Sequence, residues 1–338
     1  MKRVLLALVV VAVLVLAAGS YFIIVGSEQP YKGYPGAEQF VDVPPGSSPN
    51  TIGRRLVAAG VVRDLATFRY VLARSGQARR LQAGEYRFDR PLRPREVIDL
   101  MARGAVYLRP ITFREGLTIR QMAALYEQGG FGKAADFTAA ASNASLITDL
   151  DPEARDLEGY LFPETYTLPR RATASELVTR MVAAFRSALT PDLTARAAAR
   201  GLSLRQLVTL ASIVEKETGK AEERPVVAAV YANRLRIGMG LQCDPTVIYA
   251  LERAGRYDGN LTREDLRFDS PYNTYRYAGL PPGPIAAPGR ASLEAAASPA
   301  PASYIYFVSR NDGSHAFAST LDEHNRNVFE YQVKPFRR

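Results

Sequence analysis

Residues 208–218 read Val-Thr-Leu-Ala-Ser-Ile-Val-Glu-Lys-Glu-Thr, an apolar run that carries two glutamates, Glu215 and Glu217, just before its end. Ser203 and Gln206 make an S-x-x-Q capping pattern ahead of it, and Gly219 stands where helices commonly close, so the spacing predicts a helix between them. At about 100° per residue, Leu204, Leu207, Val208, Ala211 and Val214 form one stripe, with Glu215 on it. Lys216 joins Arg205, Thr209 and Ser212 on the polar face. Glu217 lies at the opposite margin, beside Leu210 and Ile213. An ionised carboxylate is costly in apolar surroundings; its pKa rises and it can hold a proton near neutral pH, as a general acid must. The plain alternative is a last turn that dips both acids into solvent.

The start of the chain narrows the compartment. Val4 to Val25 are apolar or small and follow Lys2 and Arg3. A helix of that length, at ~1.5 Å per residue, spans the ~30 Å hydrocarbon core of a bilayer. Cations before the span predict a cytoplasmic stub (1–3), a transmembrane helix (4–25) and the remainder on the outer side of the cytoplasmic membrane. A cleaved signal peptide is the competitor, with Ala17-Ala18-Gly19 as a loose cleavage site. Signal cores run only ~7–15 residues, and here Tyr21-Phe22-Ile23-Ile24-Val25 extends the run. The reading is therefore an uncleaved anchor. No cysteine follows the run, which excludes a lipoprotein. Cys243 is the single cysteine, so neither an internal disulfide nor a cysteine metal site is available. His315 and His324 are the two histidines, too few for a zinc site, and no cofactor is expected. A net charge of +9 suits an anionic polymer or membrane surface. Nucleic acid is not expected, since no basic run is interleaved with aromatics.

Beyond a Pro/Gly-rich linker at 26–37, residues 38–112 read as a small module. Its order is a strand at Gln39–Val43, helices near 51–59 and 65–75, a strand at Gly84–Phe88, and a helix opened by Pro94. That strand–helix–helix–strand order resembles LysM-type glycan-binding modules; a plain α+β spacer has the same order. Residues 113–338 then form a second, mixed α/β domain, so the fold class is α+β behind a membrane helix. Leu157–Tyr166 is aromatic, acidic and broken by Pro and Gly. It offers Tyr160 and Glu164 as groups that could pack on and hydrogen-bond to sugar rings. In Gln242-Cys243-Asp244-Pro245-Thr246, Asp244 reads as a helix N-cap with Pro245 at the first helical position. Residues 270–285 are too rich in Pro and Gly for regular structure, and long ordered loops usually carry function. Asn311-Asp312-Gly313-Ser314, between two short apolar runs, signals a hairpin.

Five segments in order, Leu157–Tyr166, Ala211–Thr218, Leu241–Tyr249, Ser270–Tyr275 with Gly279–Ile285, and Tyr304–Val308 followed by Gly313–Asn325, resemble the YceG-like (MltG) family of membrane-anchored endolytic murein transglycosylases. The resemblance covers the whole layout and is specific from about residue 155 onward. It implies that Glu215 is the catalytic acid and base, with Glu217 as the second candidate. It implies a cleft shaped by Leu157–Tyr166, Gln242–Tyr249 and Tyr272–Tyr275, with Tyr160, Glu164, Gln242, Asp244, Thr246, Tyr272, Asn273 and Tyr275 as candidate substrate contacts. The implied substrate is the peptidoglycan strand, cut between N-acetylmuramic acid and N-acetylglucosamine to leave 1,6-anhydro ends. Peptidoglycan synthases are the implied partners. Ordinary glycosidases need two carboxylates; this route needs one, because the sugar's own C6 hydroxyl replaces water. A hydrolase pairing Glu215 with Glu164 or Asp244, and a non-catalytic glycan scaffold, stand as alternatives.

Overall fold

The computed structural model describes residues 2–336 and divides into two compact units. The first runs up to Arg109 and takes in Thr167–Arg171. The second holds Pro110–Tyr166 and the chain from Ala172 onward.

The first unit opens with helix α1 (Lys2–Glu28), whose side chains from Val4 to Phe22 are exposed and apolar apart from small residues. It is long and apolar enough to cross a membrane. Strand β1 (Gln39–Val43), helices α2 (Pro49–Ala58) and α3 (Leu65–Ser75), strand β2 (Gly84–Phe88) and helix α4 (Pro94–Ala102) follow. β1 and β2 pair antiparallel, Val41 opposite Tyr86. Alternation drives the pairing: Val41 and Val43 point inward with Tyr86 and Phe88, onto Ile52, Leu56, Phe68, Val97, Ile98 and Met101. α2 and α3 are capped by Ser48 and Asp64 side chains, and Gly76 closes α3 in the left-handed conformation. The strand–helix–helix–strand order is thus as the sequence indicates. Strand β3 (Leu108–Thr112) leads out of this unit and pairs with β4 (Thr165–Pro169).

The second unit is mostly helical. α5 (Ile119–Gln128), α6 (Ala134–Ala141) and α7 (Ala174–Ala188) pack in sequence, and α8 (Pro191–Ala199) follows. α9 (Leu204–Glu217) carries both glutamates and lies among α8, α10 (Arg224–Arg236), α11 (Asp244–Arg253) and α12 (Arg290–Ala297). Every residue of α9 from Leu207 to Val214 is buried, including Thr209 and Ser212. The expected polar face does not exist. Ser212 meets its needs by donating to Thr209 O (2.7 Å) and accepting from Ile285 N (3.1 Å). α9 is therefore a central helix, not a surface one, and face geometry alone cannot rank its two acids. Thr218 is the C-cap in extended conformation, and Gly219 plays no left-handed capping role.

β5 (Tyr306–Ser309) and β6 (His315–Ala318) form the expected hairpin, followed by α13 (Leu321–Val328). Between α11 and α12, residues 257–289 contain only one short 3-10 turn, Asp265–Arg267.

Candidate active site

The two glutamates at the end of α9 face different surroundings. Glu215 is spent on structure. Its Oε1 accepts from the Arg224 guanidinium (3.2 Å), and its Oε2 from Gly289 N (3.0 Å) and Ser292 Oγ (2.7 Å). Gly289 is the N-cap of α12, so Glu215 neutralises the free N–H groups and positive end of that helix. Arg224 also reaches Glu115 (3.6 Å), whose carboxyl is raised above its usual range by burial and by the Glu215 charge. Both oxygens of Glu215 are taken and its side chain is 5% exposed. A carboxylate with both oxygens committed in this way is held in place, which suits a clamp between Arg224 and the start of α12.

Glu217 sits among the other motifs. Tyr231 of α10, itself buried, donates its hydroxyl to Oε1 (2.6 Å), and the Cys243 thiol bonds to the same carboxyl. Asp244 and His315 act on it through their charges. The residue keeps a little solvent exposure while protein atoms crowd its carboxyl. Burial raises its pKa, the bonds from Cys243 and Tyr231 oppose that rise, and the Asp244 charge adds to it. Glu217 is thus an acid whose surroundings raise its pKa while two side chains fix its carboxyl.

Asp244 is the first residue of α11, not its cap: the cap position is Cys243, and no side chain caps this end. Asp244 is exposed and accepts from the Tyr275 hydroxyl (2.6 Å), so the 270–275 loop reaches the start of α11. Thr274 completes the join, accepting from Cys243 N at its hydroxyl (3.0 Å) and from Gln242 N at its carbonyl (3.2 Å). Gln242 is exposed and holds a positive φ of 48°, a conformation unusual outside glycine. His315 closes the far side, its Nδ1 on Glu223 at 2.7 Å.

Several expected contacts are occupied by the fold. Asn273 is fully buried; its amide donates to Leu266 O and Phe268 O, and its oxygen accepts from Tyr275 N. Thr246 is buried against Cys243 O and Thr274. Tyr160 is buried with its hydroxyl on Asp151 (2.5 Å). Asn273 and Thr246 shape the loops rather than face a ligand, whereas Tyr160, though held by Asp151, also lines the opening beside Tyr272. Glu164 is exposed at the edge of β4, and no described hydrogen bond or ion pair connects it to Glu215 or Glu217. Tyr272 packs on Tyr249 and faces a second opening.

That opening, about 730 Å³, lies at the other end of α11 and is lined by Glu158, Arg205, Arg253, Phe268, Tyr272 and Pro284. Gly159 lets Pro284 of its wall pack close: at φ +83° its absent Cβ would lie 2.4 Å from Pro284. Glu158 accepts from Ile119 N (3.1 Å) and Tyr249 Oη (3.3 Å), and burial pushes its carboxyl up to about 8. An acid whose folded pKa exceeds its unfolded value costs stability once the unfolded chain ionises and the folded one resists. Wild-type stability should therefore fall as pH rises from about 4.5 to about 8 on account of this group. In thermal melts across that window Glu158→Gln should gain steadily on wild type; a difference that does not change with pH would contradict the assignment.

Sequence reasoning missed Tyr231, Glu223, Glu115 and Glu158 as polar partners. Each reaches its partner from a different element, and no local pattern marks it.

Residues 41–330 match the sequence profile of the YceG-like family. An endolytic murein transglycosylase of Bacillus subtilis (strain 168) is 32% identical over 86% of this chain and 84% of its own length. One from Streptococcus pneumoniae serotype 2 is 30% identical over 94% of this chain, which spans 63% of that longer protein. The crystal structure of a YceG-like protein from Listeria monocytogenes aligns with a TM-score of 0.59 at 32% identity, covering 86% of this chain and 98% of that one.

Proposed function

The chain belongs to the YceG-like family, and on that premise we propose that it cuts peptidoglycan strands internally with Glu217 as its single acid and base. It is an enzyme of the lytic murein transglycosylase class, like its curated relatives. The observation that carries the residue assignment is the position of Glu217. Its pKa is raised by burial, and it stands where α9, α10, the start of α11 and the β5–β6 hairpin meet.

The proton path follows from that position. Protonated Glu217 donates to the glycosidic oxygen as the C1–O4 bond between N-acetylmuramic acid and N-acetylglucosamine breaks. Positive charge develops on the muramoyl ring, and the now ionised carboxylate stabilises it. The ring's C6 hydroxyl attacks C1 and gives its proton back to Glu217. The products are a 1,6-anhydromuramoyl end and a free 4-hydroxyl, with no water consumed and the acid restored. Tyr231, donating at 2.6 Å, holds the carboxyl in one rotamer through both transfers. Asp244, Tyr275 and Gln242 are exposed at the rim and are the groups available to sugar hydroxyls and N-acetyl groups. The Tyr272 opening at the far end of α11 offers room for further sugar rings.

Asp244 gives the hydrolase reading its one specific support, because a second carboxylate does lie near the acid. Mass spectrometry of digested strands separates the two routes. Anhydro ends support the transglycosylase, and reducing ends would favour a Glu217–Asp244 hydrolase.

The anchor reading puts the short N-terminus in the cytoplasm, everything after α1 outside, and the enzyme beside newly made strands and their synthases. The apolar α1 and Lys2-Arg3 support it. Residues 38–112 are assigned to holding glycan. A fragment of them should sediment with purified sacculi; recovery no greater than for an unrelated protein of equal charge would reduce them to a spacer.

A further inference from the structure

α1 does not end in a free linker. A Cβ at Gly26 would lie 3.5 Å from Thr67 Oγ1 on α3, so the two helices run close there, and Ser27 is buried. A cleft of about 740 Å³ opens there, between the last turn of α1 and the α3–α4 pair. Its walls carry Arg74 from α3, Arg93 and Arg95 at the start of α4, and the acids Glu28 and Glu96. Neither acid is idle or dominant: Glu96 accepts from Arg93 N (2.8 Å) to cap α4, and three arginines face two glutamates. Arg74 is held by the Tyr70 hydroxyl (2.9 Å), and Arg95 leans on Asp99 (3.4 Å). Arg93 has no ion pair among the described residues.

Depth decides what such a cleft meets. About 20 residues from Val4 consume the ~30 Å hydrocarbon core, so α1 leaves it near Ile24, which lines the cleft. Tyr21 and Phe22, at 65% and 72% exposure, stand one turn below, where aromatic side chains mark the interface. The cleft therefore lies in the headgroup layer, and Arg93 presents there a guanidinium fork with no ion pair among the described residues, suited to phosphate oxygens. We propose that this cleft binds the headgroup of an anionic glycerophospholipid, its phosphodiester on Arg93 and Arg95 and its acyl chains along the exposed apolar side of α1. The proposal rests on reading α1 as a membrane anchor. A single phosphodiester charge matches the unpaired Arg93 guanidinium; a diphosphate would exceed it.

The test is native mass spectrometry of the full chain in micelles with phosphatidylglycerol, phosphatidylcholine or a polyprenyl diphosphate added. Phosphatidylglycerol should be retained about fivefold or more over phosphatidylcholine. The preference should vanish in Arg93→Gln/Arg95→Gln and persist in Arg79→Gln/Arg80→Gln, with unchanged thermal melts for both. Equal retention of the two phospholipids, or a preference that survives loss of Arg93 and Arg95, would overturn the proposal. Tighter retention of the polyprenyl diphosphate, or release of the lipid by inorganic phosphate, would overturn the choice of ligand. Alkaline carbonate extraction tests the anchor separately: release of the chain from membranes would sink that reading, whatever the micelle experiment shows.

Discussion

Glu217→Gln is expected to stop the formation of anhydro ends while leaving the protein folded. Glutamine keeps the size of the side chain and can still accept from Tyr231 at 2.6 Å, but it cannot exchange a proton in the required range. General acid–base help is worth about 10²–10⁴ in rate. Here one carboxyl serves both transfers, so the loss should reach at least the upper end of that range. The same substitution should not destabilise. Burial raises the carboxyl's pKa above its unfolded value, so ionising it costs folding free energy as pH rises past the ordinary carboxylate range. Glutamine removes that cost, and the variant should melt at or above the wild-type temperature at neutral pH. The sign for activity is the same: the acid must start protonated, so wild-type rate should fall as pH climbs through the raised pKa of Glu217.

Glu215→Ala should do the reverse. Removing it strips an ion partner from Arg224 and leaves Gly289 N and Ser292 Oγ without their acceptor. Breaking one side of a buried ion pair costs about 3–5 kcal/mol, and in a unit of this size that lowers the melting temperature by about 10 °C. Calorimetry reads the effect directly. Whatever variant protein stays folded at low temperature should keep anhydro-forming chemistry, slowed by less than loss of Glu217. A Glu215→Ala protein that melts like wild type but makes no product would reverse the roles of the two acids.

The contrast between these residues shows where the sequence was legible. The βααβ module, the hairpin at 306–318 and most helix bounds follow from local signals: alternation at 39–43 and 84–88, the Ser203 and Thr118 caps, and Asn-Asp-Gly-Ser. Each is decided within about ten residues. The ranking of Glu215 and Glu217 is not local. Amphipathic reasoning assumes one wet side, and α9 has none between Leu207 and Val214. Once a helix is enclosed, an acid's role depends on what other elements bring to it. Gly289 and Ser292 arrive from over 70 residues away and claim Glu215. Tyr231, Cys243 and the charges of Asp244 and His315 arrive at Glu217. The motif pattern singles out the end of α9, and any choice between its two acids rests on the packing.

Asn273, Thr246 and Tyr160 illustrate a related limit. Polar residues in a motif look like ligand contacts, yet buried backbone groups need partners too. Asn273 spends its amide on Leu266 O and Phe268 O, and the loop that presents Tyr275 to Asp244 depends on it.

The most direct measurement is the product spectrum of purified peptidoglycan strands treated with wild type, Glu217→Gln and Glu215→Gln at matched folded concentrations. Wild type should release fragments ending in 1,6-anhydro-N-acetylmuramic acid. Glu217→Gln should release none above background, and Glu215→Gln should still release them. Anhydro ends made at near-normal rate by Glu217→Gln would contradict the assignment of Glu217 as the acid and base of this enzyme.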